Sequence, residues 1–176
     1  MNPARRTSPA GVPGEAEQLI LTGESDLGLR IVVALILGLA LGTEREVHGH
    51  PAGIKTMALI SVGACMFTGL GLLPDFGTRV DPTRIAAQIV TGVGFLGAGA
   101  ILRQGGDVHG LTTAASIWVA ASLGMAVGFG YYVIAIFTTF LVIVMLLALR
   151  PIELRFFRGR RNRRSDDPPS VGQLDP

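Results

Sequence analysis

Three polar residues in an otherwise apolar stretch are the first candidates for chemistry. Asp81, Arg84 and Gln88 are three and four residues apart, which places them on one side of a helix. The same side continues through Gly92 to Arg103 at the far end. Polar side chains that enter a membrane helix usually face the bundle interior or a water-filled cavity, where they serve ions or other helices. The simpler alternative is that Asp81 caps the helix and Arg84 reaches the lipid head groups.

A second charged cluster, Glu44, Arg45 and Glu46, is followed by His48 and His50. Two histidines beside two carboxylates are compatible with a metal site. Their spacing is not the regular ligand spacing of transition-metal sites, and no supporting groups stand out. The pattern favours a hydrated cytoplasmic loop whose charges anchor the helix ends, and we predict no metal site.

A third polar patch lies near the start of a later apolar segment. It consists of Thr112, Thr113 and Ser116. Hydroxyl groups can donate to carbonyls of their own helix, so this patch alone does not indicate a function.

The sequence from residue 92 to 97 reads Gly-Val-Gly-Phe-Leu-Gly, which matches the glycine pattern of dinucleotide-binding loops. Those loops follow a strand within a βαβ unit. Here the glycines lie inside an apolar helix, where small residues permit close helix packing. We therefore predict a packing role for four glycines: Gly92, Gly94, Gly97 and Gly99.

No nucleophile and base are arranged for catalysis, and no acidic residue lies in the middle third of any apolar segment. An ion or proton path through a membrane usually shows a carboxylate or a carbonyl-lined break at that depth. We predict that the chain is not an enzyme and that it needs no cofactor.

The elements that position these residues follow from hydropathy. The 176 residues are 49% apolar and only 16% charged, with a mean hydropathy of +0.50. One helical crossing needs about 20 apolar residues, so the central region holds about five. The segments are about 27–43, 54–73, 83–102, 111–128 and 133–149. We predict an all-α membrane protein, a compact bundle of about five transmembrane helices with the glycine-rich second, third and fourth at its centre. The glycine-free fifth should face lipid or a partner.

Three regions are predicted along the chain. Residues 1–24 form a flexible leader, residues 25–150 the transmembrane domain, and residues 151–176 a basic, largely disordered tail. Seven arginines fall between Arg150 and Arg164, directly after an apolar helix, which indicates a cytoplasmic membrane flank and not nucleic-acid binding. Most Lys and Arg residues lie on the side of the tail, so we predict an outside N-terminus and a cytoplasmic C-terminus.

Four blocks of this sequence resemble the MgtC/SapB family of bacterial inner-membrane proteins. They are GLALGTERE (38–46), AGIKTMALISVGACMF (52–67), DPTRIAAQIVTGVGFLGAGAILR (81–103) and HGLTTAASIWVAASLGMAVGFG (109–130). The family's DPxRIAAQ aspartate corresponds to Asp81, and its Glu-Arg-Glu to Glu44, Arg45 and Glu46.

The resemblance implies a multi-span inner-membrane protein linked to growth at low Mg²⁺ and, in pathogens, to survival inside macrophages. Regulation of other membrane machines, including the F-type ATP synthase, is favoured in the family over direct Mg²⁺ transport. Many members have Arg-Gly-Leu-Asn-Thr-Ala-Ala-Thr where this chain has His-Gly-Leu-Thr-Thr-Ala-Ala-Ser at 109–116. Longer members add a soluble domain resembling ACT modules, whereas a basic tail follows here, so functions that depend on that domain are not expected.

Three functions are compatible with these patterns. The first is a non-enzymatic regulator that contacts another membrane complex under Mg²⁺ limitation or acid stress. The second is a small transporter or channel for Mg²⁺ or another cation, with Asp81, Arg84 and Gln88 at one mouth. The third is a structural subunit that forms a homo-oligomer through the third helix.

Overall fold

The computed structural model describes residues 13–72, 81–104 and 107–164. Its elements are α1 (Pro13–Val47), α2 (Ile54–Leu70), α3 (Pro82–Gly99), β1 (Leu102–Gln104), β2 (Asp107–His109), α4 (Leu111–Gly128) and α5 (Tyr132–Arg164). The predicted all-α membrane fold with five helices is confirmed, with one short antiparallel hairpin between α3 and α4.

Three of the described helices contain stretches long and apolar enough to cross a membrane. They are Ser25–Val47, Leu111–Gly128 and Tyr132–Leu149, and Ile54–Leu70 is a shorter apolar helix. The helix of residues 82–99 is not among them, because its first turns carry the polar residues noted above. The number of crossings, five, therefore stays a prediction.

Glycine ends two of the helices in the same way. After α1, Gly49 adopts a positive φ of 72°, and His50 N–H donates to the Arg45 carbonyl at 3.0 Å. After α4, Gly130 has a φ of 86°, and Tyr131 N–H donates to Ala126 O at 2.8 Å. A left-handed glycine closed by such hydrogen bonds satisfies the last carbonyls of a helix. Gly49 and Gly130 thus each end a helix with a tight turn.

The packed centre is made by α1, α2 and α4, and glycine sets the close approach of these helices. A Cβ at Gly38 would lie 2.8 Å from Ala58 Cα, and one at Gly128 would lie 2.7 Å from Thr68 Cβ. A Cβ at Gly124 would collide with the Ser61 carbonyl. We predicted that the second, third and fourth helices form the centre of the bundle. This is wrong for the third helix, because α1 takes the place expected for α3.

Helix α3 is antiparallel to α2 and α4 and touches them near opposite ends. Its first turns approach α2, where Ile85 lies against Gly71. Its last turns approach α4, where a Cβ at Gly97 would be 3.7 Å from Ala114 O. Contact at the two ends leaves space between α2 and α3 along the intervening turns.

The chain divides into two compact units, residues 1–139 and 140–176. In the first unit, the opening turns of α5 contribute Ala135 to a core cluster with Ala34, Leu37, Cys65 and Val127. In the second, α5 continues as one helix through Pro151 to Arg164. Only 11% of the apolar Tyr132–Leu149 stretch is buried, which agrees with a lipid- or partner-facing helix.

The two predicted terminal regions are more helical than expected. The final twelve residues of the predicted leader, 13–24, belong to α1, and residues 151–164 of the predicted disordered tail belong to α5. A helix that already has a hydrogen-bonded turn adds one bond for each further residue, so both helices extend past their apolar stretches. Residues 1–12 and 165–176 lie outside the described part of the chain.

Candidate functional site

A buried arginine lies where α1 ends. Arg45 is 1% exposed, and its Nη2 donates to the Thr113 hydroxyl of α4 at 3.1 Å, across 68 residues of sequence. The helix pair places them together because α1 and α4 run antiparallel, so the end of one meets the start of the other. Two residues predicted in separate patches therefore form one contact.

Glu44 is buried beside this arginine, 8% exposed. Its Oε1 lies 3.0 Å from His48 Nδ1, and the same nitrogen lies 2.7 Å from the Glu44 carbonyl oxygen. Glu44 Oε2 and Arg45 Nε are buried without a hydrogen-bond partner among the described residues. Buried charges with unpartnered atoms are costly, so they mark this end of the bundle as a polar centre within an apolar protein.

The prediction of a hydrated loop at Glu44 and Arg45 is wrong. Both residues belong to α1, which continues to Val47 before it turns. Both side chains are buried, and that of Arg45 faces α4 through its bond to Thr113. Glu46 is exposed, and its Oε2 accepts from the Ile54 N–H at 2.8 Å, which satisfies a free donor at the start of α2. Among the residues described, no group of three His, Cys, Asp or Glu side chains is placed to hold a metal ion.

Asp81 is the N-cap of α3, as one of the two alternatives predicted. Its Oδ1 accepts from Thr83 N–H at 2.9 Å and from the Thr83 hydroxyl at 2.7 Å, and Pro82 occupies the first helical turn. The hydrogen bond from the Thr83 hydroxyl, followed by that from its N–H, holds the pKa of the Asp81 carboxyl below its usual value, and the charge of Arg84 adds to the effect.

The predicted polar face of α3 does not extend as far as Arg103. Helix α3 stops at Gly99, and Arg103 lies in β1, so the continuation of the helical face to Arg103 is wrong. Arg84 and Gln88 share one side of α3 and are exposed, not buried in the bundle interior. They border an open cleft between α2 and α3.

This cleft has a volume of about 890 Å³ and is almost entirely apolar. The wall from α2 includes Leu59, Gly63 and Phe67, and the wall from α3 includes Ile85, Ile89, Gly92 and Leu96. Arg84 and Gln88 lie at one end, on the first turns of α3. Sequence patterns did not indicate this cleft, because it depends on the angle between two helices.

The predicted packing glycines of α3 are mostly not packed. A Cβ at Gly92, Gly94 or Gly99 would meet nothing within 4 Å, and only Gly97 faces another helix. The prediction of close packing within the chain is therefore wrong for those three: Gly92 faces the open cleft, and Gly94 and Gly99 lie on exposed sides of α3. The closest approaches between helices are made at Gly69 of α2 and at two pairs of glycines spaced four residues apart, Gly38 with Gly42 in α1 and Gly124 with Gly128 in α4.

The hydroxyl patch of α4 is divided between two environments. Thr113 and Ser116 are buried, whereas Thr112 is exposed. Ser116 Oγ donates to the Thr112 carbonyl at 2.8 Å, the self-satisfied arrangement expected for a helical hydroxyl. Only Thr113 reaches another helix through its side chain.

At the opposite end of the bundle, Arg30 links α1 to α4. Its Nε donates to Asp26 Oδ2 at 2.9 Å, four residues earlier in α1, and its Nη1 donates to the Gly128 carbonyl at 2.6 Å. A cation near the last carbonyls of a helix is favoured by the helix dipole. Sequence spacing indicated the first contact but not the second.

Apolar helices, glycine-mediated packing and buried charges at one end define this chain as a multi-helix membrane protein. The MgtC family model matches residues 31–155, and the chain belongs to the MgtC family.

Curated relatives agree with this assignment. The chain is 41% identical over 139 residues to Protein SapB of Bacillus subtilis strain 168, covering 75% of this chain and 60% of SapB. It is 42% identical over 128 residues to Protein MgtC of Salmonella typhimurium strain LT2, covering 72% and 54%. It is 38% identical over 136 residues to the Putative magnesium transporter YhiD of Escherichia coli K12, covering 72% and 62%. The matches thus span between 54% and 62% of these relatives' own lengths. No solved structure matches the chain.

Proposed function

We propose that this MgtC-family chain is a non-enzymatic regulator that binds another membrane complex through one side of α3. The observation that carries the proposal is an exposed stripe of small residues on this helix. Its members are Ala87, Thr91, Gly94 and Ala98, spaced four, three and four residues apart. Small residues at such spacing let a second helix approach closely within lipid.

The stripe is separate from the rest of the fold. At about 100° per residue, it lies roughly opposite the cleft side that carries Ile89 and Gly92. The buried Val93 and Gly97 mark a third side, turned toward α4. The exposed stripe lies on neither of these two sides, so a helix from outside the chain can pack against it.

The family resemblance supplies the partner and the setting for this proposal. We place the chain in the bacterial inner membrane with its N-terminus outside and its C-terminus cytoplasmic, where it contacts the F-type ATP synthase under Mg²⁺ limitation or acid stress. The basic tail after Arg150 supports the cytoplasmic C-terminus.

Site-specific photocrosslinking in native membranes tests the contact. A photoreactive residue at Thr91 or Ala98 should capture a subunit of the ATP synthase, whereas one at Gly28, exposed on α1, should not. Gly94→Leu should abolish the capture, since the added side chain covers the stripe and its Cβ meets nothing within 4 Å. Capture of only a second copy of this chain would replace the proposal with the homo-oligomer, and unchanged capture in Gly94→Leu would reject the stripe.

A small cation transporter is the second candidate, favoured by the buried Glu44 and its unpartnered Oε2. One relative also carries the name Putative magnesium transporter. The glycine contacts among α1, α2 and α4 argue against it, because they close the centre of the bundle. Purified protein in liposomes should carry no Mg²⁺ or other cation. A flux that Glu44→Gln, Asp81→Ala or Gln88→Leu abolishes, with insertion intact, would establish transport instead.

A further inference from the structure

The cleft between α2 and α3 has the length of one leaflet and not of a whole membrane. Its α3 wall runs from Arg84 to Leu96, and the twelve steps between these two residues rise about 18 Å at about 1.5 Å each. The hydrocarbon core of a bilayer is about 30 Å thick, so one leaflet contributes about 15 Å. A transmembrane helix would need the full thickness, whereas a lipid acyl chain needs one leaflet.

The wall of the cleft that α3 provides ends at Leu96. Gly97 approaches Ala114 of α4 just beyond the last lining residue of α3. At the other end, Ile85 lies against Gly71, and Arg84 and Gln88 border the opening. The space is therefore an amphiphilic slot, with polar groups at one end and an apolar body.

Among the described lining residues, Arg84 is the one that carries a charge, and Asp81 lies outside the lining, at the N-cap of α3. Arg84 is exposed, and no carboxylate lies within ion-pair distance of it in the described part of the chain. One helical turn earlier, Asp81 uses Oδ1 for both hydrogen bonds from Thr83. Its Oδ2 accepts none among the described residues. Guanidinium groups favour phosphate oxygens, and a free carboxylate oxygen favours an ammonium group.

We propose that this cleft binds one phospholipid with a zwitterionic ethanolamine head group. The phosphate contacts Arg84, the ammonium contacts Asp81, and acyl chain fills the space between α2 and α3. Gln88 adds a donor near the glycerol esters. Lipid binding here is separate from the partner contact assigned to the stripe, which lies on another side of α3.

The glycines of the cleft permit a matched test. A Cβ at Gly63, Gly92 or Gly94 meets nothing within 4 Å, so a side chain can be introduced at each position without a clash at its first carbon. Gly63 and Gly92 line the cleft, whereas Gly94 does not. Leucine in the cleft displaces acyl chain, and leucine at Gly94 leaves it undisturbed.

Native mass spectrometry of the full chain, released from detergent with defined lipids, measures the binding. Phosphatidylethanolamine should be retained in preference to phosphatidylglycerol and phosphatidylcholine of the same acyl chains. Gly63→Leu and Gly92→Leu should weaken retention by about tenfold or more, and Gly94→Leu should match the unchanged protein. Equal retention in Gly92→Leu, or no retained phospholipid in the unchanged protein, overturns the proposal.

Head-group variants separate the two charges. Arg84→Gln should reduce retention of all three lipids, whereas Lys55→Gln, an exposed cation outside the cleft, should not. Asp81→Asn keeps a good helix cap and should remove only the preference for ethanolamine over glycerol head groups. If Asp81→Asn leaves that preference unchanged, or if the protein prefers phosphatidylglycerol from the start, the assigned head group is wrong.

The two proposals fail separately. Gly94→Leu should lose the crosslink to the ATP synthase and keep the lipid, and Gly92→Leu should do the reverse. A second copy seated in the cleft would appear as a dimer that Gly92→Leu dissociates without any change in lipid, which rejects the lipid site.

Discussion

The Arg45 guanidinium donates to the Thr113 hydroxyl at 3.1 Å, and this bond joins the end of α1 to the start of α4. The donor is 1% exposed and the acceptor 3%. Burial of a cation this complete requires hydrogen-bond partners, because its hydration is lost. The contact therefore holds the end of α1 against the start of α4, and it organises the polar end of the bundle.

Removal of the Thr113 hydroxyl should destabilise the protein. Thr113→Val keeps the shape but leaves Nη2 of Arg45 without its acceptor, so the free energy of unfolding should fall by about 1–3 kcal/mol. Unfolding in mixed detergent micelles measures the loss. Thr113→Ser should retain most of the stability, and Thr112→Val, at an exposed position, should change little. A valine variant as stable as the original would show that the bond contributes nothing.

A methyl group at Gly124 should separate α2 from α4. Its Cβ would collide with the Ser61 carbonyl, a backbone atom that cannot move aside without shifting α2. Gly124→Ala should lower the free energy of unfolding by about 1–3 kcal/mol or more, as overpacked cores do. Gly63→Ala on the facing helix is the matched control, because nothing lies within 4 Å there. Equal stability of the two variants would contradict the close approach.

The two contacts of Arg30 should differ in energy. Asp26 is 49% exposed, so Asp26→Asn should cost less than about 1 kcal/mol, as for surface ion pairs. Arg30→Gln also weakens the bond to the Gly128 carbonyl and should cost about 1–3 kcal/mol, as for hydrogen bonds to charged groups. The same micelle unfolding compares them. If Asp26→Asn proves the more destabilising, the carbonyl contact is not the main one.

The cap at Asp81 should persist into acid. Its folded pKa lies below the usual 3.8, so its contribution to stability is complete above the unfolded pKa and is lost as the pH falls through the lower folded value. Carboxyl NMR titration of the labelled chain should show an Asp81 midpoint below 3.8. In Thr83→Ala, which removes the hydroxyl donor, the midpoint should rise. A midpoint at or above 3.8 in the unchanged protein would contradict the observed hydrogen bonds.

Several features were predictable because they depend on neighbours in the sequence. Hydropathy located all five helices, and the fourth has the predicted bounds of 111–128. The cap by Asp81 is local, and the sequence indicated it as one of two alternatives. The Asp26–Arg30 pair and the turn at Gly130 are local as well, since four residues separate the pair and glycine favours a positive φ.

Other features depend on how helices lean and face one another. The glycines of α3 have the spacing of a packing motif, yet only Gly97 meets a helix, because α3 touches α2 and α4 at opposite ends. The arrangement of α3 relative to α2 also opens the cleft between them, and no spacing of residues in the sequence predicts it.

The sequence by itself determined the membrane class, the family and the position of the apolar part of each helix, because apolar length and local capping act within each segment. Tertiary structure decided the partners of each helix face. Glu44 and Arg45 are charged residues near the end of a helix, and the local sequence pattern predicts that such residues are exposed to water. They are buried because antiparallel packing brings α4 against that end, and the resulting loss of hydration is compensated in part by Thr113 and His48.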